Sequence, residues 1–145
     1  MHNQTHNLLT ATATTKVRFN EVDPLGITWH GHYVTYFEDG REAFGAKFGL
    51  HYLDIFNNGY VAPIVNLNLD YKKMLKYGDS VLIETSYEDS HAAKIIFKYK
   101  LYNAATMELV ATGSTTQVFL DVTKQQLQLR FPAFFEEWKK KHNLI

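Results

Sequence analysis

The chain has 145 residues, 46% of them hydrophobic, which suits one globular domain with its own core and excludes a disordered chain. The 15 basic and 15 acidic side chains cancel, so there is no general electrostatic footprint for nucleic acid. No cysteine is present, which excludes disulfides, thiolate chemistry and cysteine-based zinc sites, and is compatible with a cytoplasmic protein.

Residues 1–13, polar and without a basic segment followed by an apolar one, are expected to form a flexible N-terminal segment rather than a secretory signal. A single domain is expected over 14–145. "TTKVRFN", 14–20, sets Val17 and Phe19 against Lys16, Arg18 and Asn20, the alternation of a half-buried strand. Pro24 and Gly26 then break the chain. From about 32 to 48 the period lengthens. Tyr33, Tyr36, Phe37, Phe44 and Phe48 fall near a 3.6-residue repeat, which predicts an amphipathic helix. Gly40 and Gly45 lower its intrinsic helicity by about 1 kcal/mol each, and suggest close packing on a sheet. Gly49 suits the C-terminal cap.

"HYLDIFNNG", 51–59, predicts one short helix. From 60 onward the pattern is that of strands. Val65, Leu67, Leu69 and Tyr71 alternate with Asn66, Asn68, Asp70 and Lys72; "SVLIETSYED" (80–89) and "AAKIIFKYKLYN" (92–103) flank a tight connection at Ser90 and His91; and "MELVATGSTTQVFLDV" (107–122) reads as another long strand. Gly113 within it marks a bulge or a close approach. "FPAFFEEWKKKHNLI" predicts a closing amphipathic helix with Pro132 near its first turn. One long helix followed mainly by antiparallel strands is an α+β pattern. No apolar run reaches the ~20 residues of a membrane span.

The densest chemistry lies at the junction of the first strand and the long helix, "EVDPLGITWHGHY", residues 21–33. Read alone, Asp23 before Pro24 is a turn initiator or a carboxylate held at a helix start, where free N–H groups and the helix dipole favour negative charge. His30 and His32 are two apart and lack the spacing of a metal site, so no metal is expected. Glu38 and Arg41, three apart, can pair on one helix face.

"VRFNEVDPLGITWHGHYVTYFEDGREAF" resembles the acyl-CoA thioesterases of the hot-dog superfamily, in particular the 4-hydroxybenzoyl-CoA thioesterase-like group. Asp23, Gly26, Tyr33, Tyr36, Phe37 and Glu38 carry the resemblance. "YVAPIVNLNLDYKKMLKYGDSVLIET" and "LVATGSTTQVFLDVTKQQLQLRFP" extend it over roughly residues 14–135. The resemblance implies a hot-dog fold, a long central helix wrapped by a curved antiparallel sheet, assembled as a homodimer or homotetramer with the thioester at the protomer interface.

It also implies hydrolysis of an acyl-CoA, or of an acyl carrier protein thioester, without a cofactor. The catalytic carboxylate falls on Asp23 and the carbonyl-polarising N–H on His30. Gly26 would allow close approach of substrate; Trp29 and Tyr33 would form pocket wall or core. Lys94 would meet the acyl or pantetheine end, and Lys72, Lys73 and Lys76 form a basic cluster for the CoA phosphates. A hot-dog hydratase, favoured by His30, and an acyl-CoA-binding module that does no chemistry are the rival readings.

Overall fold

The computed structural model describes residues 9–145. Its main sheet has five antiparallel strands: β1 (Thr10–Lys16), β3 (Ile64–Tyr71), β4 (Ser80–Glu88), β5 (Lys94–Asn103) and β6 (Leu109–Val118), in the spatial order β1-β4-β5-β6-β3. Two short strands, β2 (Tyr60–Val61) and β7 (Leu120–Asp121), pair beside it. Helix α1 (Tyr33–Phe48) lies across the sheet; α2 (Tyr52–Asn57) and α3 (Ala133–Lys141) close its ends. This is the α+β arrangement expected, with the aromatic helix as the sheet's cover.

The two-residue period holds along the central strands. Val81, Ile83, Thr85 and Tyr87 of β4, and Ile95, Phe97, Tyr99 and Leu101 of β5, point inward and are buried. On α1 the inward stripe is Tyr33, Tyr36, Phe37 and Phe44. Phe37 stacks on Tyr99 at 4.2 Å between ring centroids, and Phe44 meets Phe97 edge-on at 4.9 Å. Each such ring, fully buried, contributes about 1.5–3 kcal/mol relative to exposure.

The helix lies this close because small residues sit beneath it. A Cβ on Gly40 would lie 2.2 Å from Thr85 Oγ1, and one on Gly113 would lie 2.4 Å from Phe37 Cζ and 2.7 Å from the Asn68 carbonyl oxygen. Gly113 therefore marks a close approach; the register shifts of the sheet lie elsewhere, between Ile64 and Asn66 and between Leu101 and Tyr102. Gly45 has a different neighbour from the one expected. Its open side faces the backbone of His51, 2.8 Å from a built Cβ, not the sheet. Gly49 has φ 75° and caps α1 as expected.

Boundaries differ from the sequence reading at several points. The first strand is Thr10–Lys16, not 14–20, because its length is set by its partner β4, from Thr10 opposite Ser86 to Lys16 opposite Ser80. Its inward residues are the small Ala11 and Ala13, which carry little hydrophobic signal. Phe19 lies in a 3₁₀ turn and is 77% exposed. Of the segment expected to be flexible, 1–13, residues 10–13 are paired in β1, and 1–8 lie outside the described residues. Pro63 separates β2 from β3, and Phe119 separates β6 from β7. β3 itself is an edge strand, with Val65 59% and Leu67 38% exposed.

At the far end Lys139 of α3 is fully buried. Its Nζ donates to Asp89 Oδ1 and to the Ser90 carbonyl, each at 2.9 Å, and lies 4.0 Å from the centre of the Phe131 ring. Trp138 Nε1 donates to the Phe48 carbonyl at 2.8 Å, tying α3 to the end of α1.

Gly113→Ala is expected to destabilise the fold by about 1–3 kcal/mol, the usual cost of overpacking, because the added methyl meets backbone as well as Phe37. Urea unfolding at equilibrium measures it; an unchanged midpoint would contradict the close approach.

Candidate active site at the strand-to-helix junction

The junction is a small hairpin pinned on three sides. Val22 pairs with Thr28. Asp23 N–H donates to Ile27 O and Gly26 N–H to Asp23 O, both at 2.9 Å. Pro24 takes the first corner, where its fixed φ is already suitable, and Gly26 takes the position that requires φ 80°. From the other side, Thr28 N–H donates to Leu75 O at 2.8 Å and Tyr77 N–H to Gly26 O at 3.2 Å. The base is closed by Trp29 N–H donating to Glu21 O at 2.9 Å.

A 3₁₀ turn over His30–His32 then leads into α1. Its first amides, on His30 and Gly31, donate to no backbone carbonyl among the described residues, the usual state of N–H groups at a helix start. Gly31 leaves room for Trp29: a Cβ there would lie 2.1 Å from the indole ring.

These pieces border a cavity of about 500 Å3, and Asp23, Trp29, His30 and Tyr33 all line it. Four of the six residues singled out from the sequence are thereby brought together. Gly26 shapes the hairpin without lining the cavity, and Lys94 begins β5 opposite Val118, away from it. One oxygen of Asp23 accepts from Leu25 N–H at 2.8 Å; the turn-forming role is therefore real and occupies Oδ1. Oδ2 has no hydrogen bond among the described residues. The His30 ring makes no hydrogen bond to Asp23; it leans on Trp29, with centroids 4.9 Å apart.

The remaining wall comes from the end of β3 and the loop after it. Tyr71, Lys72, Lys73 and Met74 line the cavity. The Tyr71 hydroxyl donates to the His30 carbonyl at 2.8 Å, and its ring meets Tyr33 edge-on at 4.9 Å. Nothing local in the sequence signals this contact, because the partners are 41 residues apart. Burial pushes the Tyr33 hydroxyl up, so Tyr33 stays protonated and forms part of the wall.

A second cleft, about 610 Å3, lies across α1 and includes Glu38, Asp39, Arg41, Glu42, His51 and Gln117. Arg41 does not pair with Glu38. Its Nη1 donates to the Tyr99 hydroxyl at 3.1 Å, which in turn bonds Thr115 Oγ1 at 2.5 Å. Burial, then the neighbouring Glu38, raises the Asp39 carboxyl above the usual range. Among the described residues no cluster of acids and histidines is grouped to hold a metal ion, and no helix is long and apolar enough to cross a membrane.

The fold sets Asp23 and His30 on one cavity, and comparison with known proteins supplies the family. The chain belongs to the thioesterase-like superfamily, whose family pattern matches residues 17–139, and it has the hot-dog fold. YneP of Bacillus subtilis, named as a candidate acyl-CoA thioesterase, is 32% identical over 124 residues, covering 85% of this chain and 88% of that protein. The structure of a DHNA-CoA thioesterase from Staphylococcus aureus superposes with a TM-score of 0.81 at 29% identity, covering 93% of this chain and 92% of that one. A 4-hydroxybenzoyl CoA thioesterase in complex with 4-hydroxybenzoyl CoA shares the fold, with a TM-score of 0.76 at 21% identity over 90% of this chain and 98% of that one.

Gly31→Ala is expected to displace the Trp29 ring while leaving the fold intact, because the added methyl meets the end of a side chain that can swing away. With Trp138 only 6% exposed and Trp29 already 50% exposed, a red shift in tryptophan emission at unchanged melting temperature reports it. An unaltered spectrum would contradict the packing.

Proposed function

We propose that the protein is an acyl-CoA thioesterase, hydrolysing a CoA thioester to free acid and CoA without a cofactor, with Asp23 as the catalytic carboxylate and the His30 N–H as oxyanion donor. The observation that supports the reading is that Asp23 and His30, the first residue of the turn that leads into α1, line the same cavity.

A thioester carbonyl is electrophilic already. Its hydrolysis needs an activated attacking oxygen and a place for the negative charge that develops. Asp23 Oδ2 is free to take a proton from water or to attack directly, while Oδ1 holds the hairpin in shape. In the water route the proton passes to Asp23 as the C–O bond forms. The oxyanion is held by the His30 N–H, a type of donor worth about 2.7–4 kcal/mol. As the C–S bond breaks, Asp23 returns the proton to the departing CoA sulfur. Trp29, Tyr33 and Tyr71 keep the reacting centre apart from bulk water. Lys72 and Lys73, on the same cavity, are suited to the phosphates of the CoA arm. The cytoplasm, where CoA esters occur, is the compartment proposed for it.

The active assembly is a homodimer, or a tetramer built from dimers. What supports this is β3, an edge strand whose Val65 and Leu67 are exposed on the sheet's edge and whose unpaired backbone groups are suited to a second copy. Sedimentation at micromolar concentration is expected to give a dimer or larger species; a clean monomer would remove the shared site.

The reaction itself is tested by release of free thiol from short, long and aromatic acyl-CoAs. With no cysteine in the chain, a thiol reagent detects product alone. Asp23→Asn keeps an oxygen for Leu25 N–H and is expected to fold normally with kcat lowered about 10²–10⁴-fold. A variant with full turnover would sink the assignment of Asp23.

A further inference from the structure

Glu21 is two residues before Asp23 and lines no part of the cavity, yet three hydrogen bonds from separate segments converge on it. Its Oε1 accepts from Arg18 N–H at 2.8 Å and from the Tyr36 hydroxyl at 2.9 Å. Its main-chain carbonyl accepts from Trp29 N–H at 2.9 Å. One residue therefore ties the chain entering the hairpin, the chain leaving it, and the first turn of α1. Tyr36 is only 1% exposed, so the helix end of this tie is anchored in the core.

The consequence is geometric. Asp23 follows Glu21 by two residues and His30 follows Trp29 by one. The separation of the Asp23 carboxylate from the His30 amide is set by how the hairpin's base is closed and how it sits on α1. We infer that Glu21 and Tyr36 form a positioning latch that holds the carboxylate of Asp23 and the amide of His30 in reacting register, without touching substrate themselves. This rests on the roles proposed above for Asp23 and His30. Burial, then the hydrogen bond to Glu21 and its negative charge, keep the Tyr36 phenol well above its ordinary range, so Tyr36 remains a donor at every working pH. A charged acceptor makes the bond stronger than a neutral pair would.

A latch of this kind affects turnover more than binding, since displacing a reacting group by about 1 Å can cost on the order of 10²-fold. Three variants separate the possibilities. Tyr36→Phe removes one hydroxyl and keeps the ring in the core. Glu21→Ala removes the acceptor. Glu21→Gln keeps an amide oxygen for both donors.

The expected result with an acyl-CoA that the wild type hydrolyses is a roughly 10- to 100-fold fall in kcat for Tyr36→Phe and Glu21→Ala, with KM within about twofold and far-UV circular dichroism unchanged. Glu21→Gln is expected to recover most of the loss. The double variant Tyr36→Phe with Glu21→Ala should be little worse than Glu21→Ala alone, as for two members of one contact. Amide exchange is read on the same proteins without substrate, and should rise over residues 22–32 while β4 and β5 stay protected.

Wild-type kcat in both single variants, or a rise in KM with kcat intact, overturns the latch while Asp23→Asn still reports on the base. Unchanged exchange over 22–32 overturns it even if no CoA ester is turned over. Activity surviving in Asp23→Asn while the latch variants loosen 22–32 would instead count against the assigned base and leave the latch as a purely structural tie.

Discussion

The contact between Phe37 and the sheet is the constraint on which the rest depends. Phe37 lies flat on Tyr99 and its edge fills the space where Gly113 has no side chain. That contact fixes the height of α1 above the strands and the rotation of its inward stripe. Tyr33, one turn earlier, is thereby directed to the cavity, and Tyr36, next to Phe37, to Glu21. A helix start is only as well placed as the body of its helix. Interiors packed at crystal-like density do not let such a body drift.

With α1 fixed, the hairpin has little freedom. Its amides and carbonyls are satisfied by Leu75, Tyr77 and Glu21, so a segment with a proline, a glycine and no regular structure is nonetheless rigid. The conformational entropy lost in ordering it is about 1–2 kcal/mol per residue, offset by those hydrogen bonds and by the partial burial of Val22 against the core. This local order holds Asp23 and His30 on the wall of one cavity.

The helix, the alternation of β4 and β5, the cap at Gly49 and the hairpin turn were all legible from residue order, because each depends on neighbours within a few positions. Asp23, Trp29, His30 and Tyr33 were singled out through the family resemblance of their segment, and they line one cavity because they lie within eleven residues of one another. The first strand was not legible, since its extent is dictated by β4 some 70 residues later (Thr10 against Ser86), and its inward residues are alanines. Phe19 was misread because a pattern of alternation continues past the point where the ladder ends. Tyr71 reaches His30 across 41 residues, and Arg41 turns from the nearby Glu38 to Tyr99 on another strand; sequence spacing carries no trace of either. Lys94 was singled out because its strand matches the one that lines substrate in the family; in this protein it begins β5, outside the cavity that Asp23 lines.

The buried ammonium of Lys139 alters what exposure means at the opposite end of the molecule. Its partner Asp89 sits in a surface connection, with a side chain 36% exposed, where substitution is ordinarily tolerated. Here the carboxylate is the counter-charge of a cation with no access to water, and removing one partner of a buried pair leaves an uncompensated charge inside the protein. Asp89 therefore belongs, by its mutational behaviour, with the interior. The turn between β4 and β5, for all its small polar residues, is a poor place for an insertion, a tag or a cleavage site.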